Sequence, residues 1–199
     1  MKSFKDDVEL LIFADKYVGE NLSRFNREIN HCLKLPYAEF SAILYCFSII
    51  DFLSSIYCGQ ARSGNTTQNA KMYMKQMMHY TEDQCILLQK VFRHKLVHLA
   101  NPNYVYAHDN KKKITYHFRN NNPKKHLSLE SIPSPAYYKP TSKIRQDVTH
   151  KFWISIKRFS ADIIQSVDGP IGFLSKLKAD PRLRKNFDDA IFDIFSPDT

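Results

Sequence analysis

Glycine is scarce in this sequence, with five in 199 residues. So few leave little for the tight turns of a barrel or sandwich, and the 43% hydrophobic and 13% aromatic content points instead to helices around a sizeable core. The glycine-rich phosphate loops GxxxxGKS/T and GxGxxG are absent, as are GxSxG and HExxH. These absences exclude the common nucleotide hydrolases, serine hydrolases and zinc proteases. Cysteine is sparse too. Cys32, Cys46, Cys58 and Cys85 show no CxxC spacing and fall in apolar stretches, which reads as reduced core thiols. The start carries Asp6, Asp7 and Glu9 rather than an apolar signal core, so the expected location is cytoplasmic. Acidic residues are missing from one region. Residues 101–160 hold 12 Lys/Arg against 3 Asp/Glu, while the other 139 residues hold 17 of each. The whole formal charge of +9 therefore sits in one third of the chain. Such a block attracts phosphates through counterion release, or is simply a solvated face.

What is present reads as a mainly α chain, a single domain over 1–199 with a helical core at 5–102, a basic β-hairpin and connection at 103–140, and C-terminal helices at 141–199. Val8, Leu11, Ile12, Val18, Leu22, Phe25 and Ile29 give a first amphipathic helix. From Pro36 to Gly59 the chain is apolar nearly all round. Asp51 and four serines within it favour a buried central helix over a membrane span. Ala70, Tyr73, Met74 and Met77 mark a shorter helix, and the Met72, Met74, Met77 and Met78 cluster reads as core filler. Thr81 and Gln84 have capping-box spacing, predicting a helix from Glu82 until Pro102 stops it. Tyr104–His108 and Ile114–Phe118 predict the hairpin, with three lysines at its turn. Asn120–Pro140 reads as a Pro-rich connection. A long helix is expected from Thr141 to Asp168 on the stripe Ile144, Val148, Phe152, Ile156, Phe159 and Ile163, followed by two shorter helices, the last capped by Asp180 with Pro181 at its first position.

The stretch that bears on chemistry is Val91-Phe92-Arg93-His94-Lys95-Leu96-Val97-His98. An Arg is followed by a polar residue, then by His after four intervening residues, with an apolar Leu-Val before that His and a Pro soon after. Three other pairs have similar spacing, Arg24 with His31, Arg119 with His126 and Arg145 with His150, and none has this context. The segment, with the amphipathic and IIDFLSSIYCG helices before it, resembles the HEPN superfamily over roughly residues 5–102, in the form of stand-alone bacterial members. HEPN proteins are helical bundles that include metal-independent ribonucleases and toxins. The resemblance implies a homodimer whose two motifs share one cleft, RNA as substrate, no cofactor, and a toxin or defence role in which a partner inhibits the activity.

The residues suit that chemistry. His98, with an imidazole near neutrality, is the candidate for proton transfer. Arg93 is the candidate phosphate clamp, and His94 could assist either task. Asp51 is expected either to hold Arg93 or to bond a hydroxyl such as Ser54 or Ser55. Lys111, Lys112, Lys113, Lys124 and Lys125 are the candidate RNA-binding residues. On an ideal α-helix His94 and His98 lie about 40° apart, but Arg93 and His98 about 140° apart. The two histidines also fit a helical metal pair, although no nearby carboxylate or Cys completes a set. Two other functions remain: a non-catalytic module binding RNA, nucleotide or a protein partner, and a structural dimer whose basic third is only solvated. No membrane association is expected.

Overall fold

The computed structural model describes residues 3–35, 38–62, 64–93, 106–108, 112–119, 125–138 and 146–196. Its helices are α1 (Asp7–Cys32), α2 (Glu39–Cys58), α3 (Thr66–Met77), α4 (Glu82–Leu87), α5 (Ile156–Asp168), α6 (Phe173–Ala179) and α7 (Pro181–Phe195). The strands β1 (Tyr106–His108), β2 (Lys112–Arg119), β3 (Ser128–Tyr138) and β4 (Gln146–Ser155) lie between α4 and α5 in the chain. The protein is thus mainly helical, with one small sheet.

Helix ends follow local chemistry. Asp6 accepts the main-chain N–H groups of Val8 and Glu9 and starts α1. The capping box at α4 forms, with Thr81 and Gln84 bonding each other's main-chain N–H. Asp180 caps α7, with Pro181 at its first position. Gly59 ends α2 at φ 72°, where a Cβ would meet the Asn186 backbone at 3.0 Å, so both conformation and space call for glycine.

The core is built around α2, which packs against α1, α3, α5 and α7. Its buried residues, among them Ile43, Phe47, Ile50, Leu53 and Ile56, point to several sides, as its all-round apolar sequence predicts. Among the described residues it is the one helix long and apolar enough to cross a membrane, and half of that window is buried within the fold. The stripe of α1 differs from the expectation. Leu10 and Ala14 face the core, while Val8 and Ile12 are each 66% exposed, because the rows ten-fourteen and eight-twelve are both helically spaced and only packing selects between them. Met74, Met77 and Met78 are buried as expected, but Met72 is 42% exposed.

The sheet requires larger corrections. Its strand order is β1-β2-β4-β3, with β2 parallel to β4 and the other pairs antiparallel. The hairpin is present, pairing Tyr106 with Ile114 and His108 with Lys112. The expected connection Asn120–Pro140 instead contains β3. Its prolines Pro133 and Pro135 lie at a bulge between Ser131 and Ala136, on an edge strand, where a missing N–H costs no ladder bond to a further neighbour. The expected helix from Thr141 begins only at Ile156. Residues Gln146–Ser155 are β4, and the chain turns helical where Ser155 caps Arg158 N–H. Val148 and Phe152 are four apart, a spacing that puts residues on one side of a helix and also on one face of a strand. One sheet face joins the core through Ile114, Phe152 and Ile154, with Tyr116 and Leu129 packed beside them. The other carries Lys113, Thr115 and His117 from β2 and Lys151 and Trp153 from β4, by alternation and by the pairs Thr115 with Lys151 and His117 with Trp153.

Candidate functional site

The motif segment leaves its α-helix early. α4 is α-helical only to Leu87, and Leu88–Arg93 is π-helical, packed against β2. This corrects the expectation of one α-helix running to Pro102. Arg93 is the last residue of the wide turn, and His94 and His98 lie outside the described residues. π turns are rare, short, and frequent at functional sites. Asp51 lies on α2, half-buried, with Oδ1 screened from water. The hydroxyls of Ser54 and Ser55 donate to the Asp51 main-chain carbonyl at 2.9 and 2.8 Å, so those serines bond its backbone rather than its carboxylate.

Of the five candidate RNA-binding lysines, Lys111 and Lys124 lie outside the described residues. Lys112 and Lys113 are successive on β2 and so take opposite faces. Lys113 Nζ lies 3.4 Å from Asp147 Oδ2, and Lys125 Nζ 2.9 Å from Glu130 Oε2. The three described members therefore do not form one cluster. Lys113 and Lys125 instead lie toward different ends of the outer sheet face, Lys125 beside Trp153 and Lys113 beside Asp147 and Thr149.

A second polar constellation escaped the sequence reading. A cleft of about 540 Å³ between the α3–α4 turn, the start of β3 and α5 holds Tyr80, His126, Arg158 and Asp162. Asp162 Oδ2 accepts the Tyr80 hydroxyl at 2.9 Å and lies 3.4 Å from His126 Nε2, while Oδ1 receives Arg158 Nε at 2.8 Å. His126 Nδ1 accepts the Ser155 N–H at 3.2 Å, which leaves the proton of the neutral ring on Nε2. Burial, then the charge of Asp162, pushes the Tyr80 hydroxyl well above its usual range, so it stays a donor. The imidazole lone pair is already engaged with a main-chain amide, and the carboxylate meets three donors. Such a group ties elements together and has no free base to offer a substrate. Its components come from three distant segments, and the chance Arg119/His126 spacing was the single signal that touched it. His79 and Leu127, the two non-glycine residues with positive φ among those described, both line this cleft. Each costs about 1–2 kcal/mol in backbone strain, which the joint must offset.

Among the described residues no group of three or more His, Cys, Asp or Glu could hold a metal. All four cysteines carry free thiols, with Cys46 and Cys85 buried. Burial raises the Cys46 thiol far above its ordinary value and pushes that of Cys85 up to about 11, so neither is poised as a nucleophile.

Comparison of the chain with protein-family models, with curated proteins and with solved structures finds no match.

Proposed function

We propose that this protein is a metal-independent endoribonuclease of the HEPN type, acting as a homodimer in the cytoplasm as a toxin or defence effector. The observation that carries the reading is the wide turn that ends at Arg93. A π turn bonds residue i to i+5 and so brings residues five apart toward one face. Arg93 and His98 are five apart, and the helix is already wound in this way at Arg93. In a homodimer, the partner's motif supplies the second set of groups across a two-fold axis.

In the proposed reaction His98 takes the proton of the ribose 2′-OH, and the 2′-oxygen attacks the adjacent phosphorus. The P–O bond to the 5′-oxygen breaks, and that oxygen receives a proton from a second imidazole, His94 or a histidine of the other protomer's motif. Arg93 stabilises the charge on the phosphorane. The products carry a 2′,3′-cyclic phosphate and a free 5′-OH. Purified protein should cut labelled RNA in EDTA, and Arg93→Ala and His98→Ala should each slow cleavage at least about a hundredfold. Cleavage of a substrate with 2′-deoxyribose at the scissile position, or full activity in His98→Ala, defeats the mechanism. The second reading, an RNA-binding module without catalysis, is favoured by the aromatic and basic side chains on the outer sheet face, and tight binding without cleavage would select it.

A further inference from the structure

We infer that the outer face of the sheet is a binding track for single-stranded RNA, with a base stacked on Trp153 and the backbone phosphates drawn to Lys113, Lys151 and Lys125. This names the substrate surface of the proposed ribonuclease and rests on that reading for the choice of RNA, not for its chemistry.

Trp153 is the sole tryptophan of the chain, and it lies half-buried on the sheet face opposite the one that carries the core. Its ring is held in place. Nε1–H donates to Glu130 Oε2 at 2.6 Å, and the His117 ring meets it edge-on with centroids 4.3 Å apart. Two ammonium groups sit over the indole, Lys125 Nζ at 4.7 Å and Lys151 Nζ at 5.1 Å from the ring centroid. An incoming strand exchanges both contacts at once: a base replaces the ammonium groups on the π-face, and the displaced lysines turn to its phosphates. Lys113 continues the line, because it is four residues from His117 along β2, about 13 Å at strand rise. Asp147, 3.4 Å from Lys113 Nζ, is one acid within the track, and Glu130 is the other. Its hydrogen bond from Lys125, then that from Trp153, lowers its pKa, so it stays ionised and keeps the indole oriented while Lys125 exchanges partners. Charge selects the occupant, since the sheet lies within the residues that carry the whole positive imbalance. A single strand supplies at each nucleotide both a base for the indole and a phosphate for the lysines.

A single tryptophan makes the test direct. Full-length His98→Ala, which should not cut its ligand, is titrated with a short oligoadenylate while tryptophan fluorescence is followed. Saturable quenching is expected, with affinity falling as salt rises at a log–log slope near −2, the value for about three phosphate contacts on a single strand. Trp153→Ala should bind at least about tenfold more weakly. Lys151→Gln and Lys113→Gln should each flatten the slope by about 0.7 and keep the quenching. The same DNA sequence should quench comparably, because stacking and phosphate contacts do not read the 2′-OH. Binding without quenching, a salt slope unaltered by Lys151→Gln and Lys113→Gln, or a preference for duplex RNA overturns the inference. The lysine variants keep the test decisive if Trp153→Ala does not fold. Quenching in a protein that cuts no RNA sinks the ribonuclease and leaves the track. Cleavage by wild type with no quenching in His98→Ala does the reverse.

Discussion

The helical part and the sheet of this protein surround their aromatic residues with different neighbours. In the helices, Phe25, Phe47, Phe159, Phe173 and Phe187 are fully buried, and rings such as Phe47 and Phe159 meet at 5.6 Å. In the sheet, Phe152 reaches that depth, while Trp153, its neighbour in sequence, stands on the outer face among lysines. Most helix aromatics fill the core, Phe192 and Phe195 at the end of α7 being exposed, whereas the sheet sets a half-buried indole among ammonium groups. Charge divides the same way, with the balanced residues around the bundle and the surplus lysines near the sheet. Substitutions should therefore cost stability in one region and binding in the other.

The largest expected effect is in the bundle. Phe159→Ala should lower the unfolding free energy by about 3–5 kcal/mol, read by urea titration, whereas Lys151→Gln should stay within about 0.5 kcal/mol. Equal losses for the two would dissolve the contrast. Next comes the joint between the regions. Asp162→Ala removes the acceptor shared by Tyr80, His126 and Arg158 and should cost about 2–3 kcal/mol, with the larger rise in amide exchange in β3 and β4. If exchange rises only in α5, the joint does not hold the sheet.

Alkaline pH should weaken the bundle by a smaller, graded amount. Cys46, Cys85, Tyr73 and Tyr80 are acids whose pKa the fold raises, chiefly by burial, from ordinary values of 9.0 for the thiols and 10.0 for the phenols. The unfolded chain loses these protons first, so their contribution is complete below about pH 9 and declines as pH rises toward the folded values. The decline is about 1.4 kcal/mol per pH unit for each group already ionised in the unfolded chain. Denaturant midpoints that do not move between pH 8.5 and about 10 would contradict this burial. Gly59→Ala should cost about 1–2 kcal/mol in thermal denaturation, since it forces a side chain into a left-handed position against Asn186.

Legibility differed between the two regions for a physical reason. Helix caps act within four residues, so Thr81 with Gln84 and Asp180 with Pro181 could be read directly from the chain. The hairpin was readable from its β-favouring runs. β3 was not, because prolines mark loops everywhere except at a sheet edge or bulge, and a sequence does not say which strand will be the edge. β4 was hidden by the four-residue spacing of Val148 and Phe152, which fits both periods. The Arg93 and His98 pair was visible as a pattern, whereas nothing in residues 80, 126, 158 and 162 taken singly announced the joint.

Local interactions thus let the sequence determine the starts of α4 and α7, the all-round apolar α2, the hairpin and the concentration of positive charge, since each depends on neighbours a few positions away. The mixed order of the strands, the row of α1 that faces inward, the wide turn at Arg93 and the face on which Trp153 stands were decided only in the tertiary structure. In each of these the local pattern allowed two arrangements of similar energy, and packing between distant segments selected one.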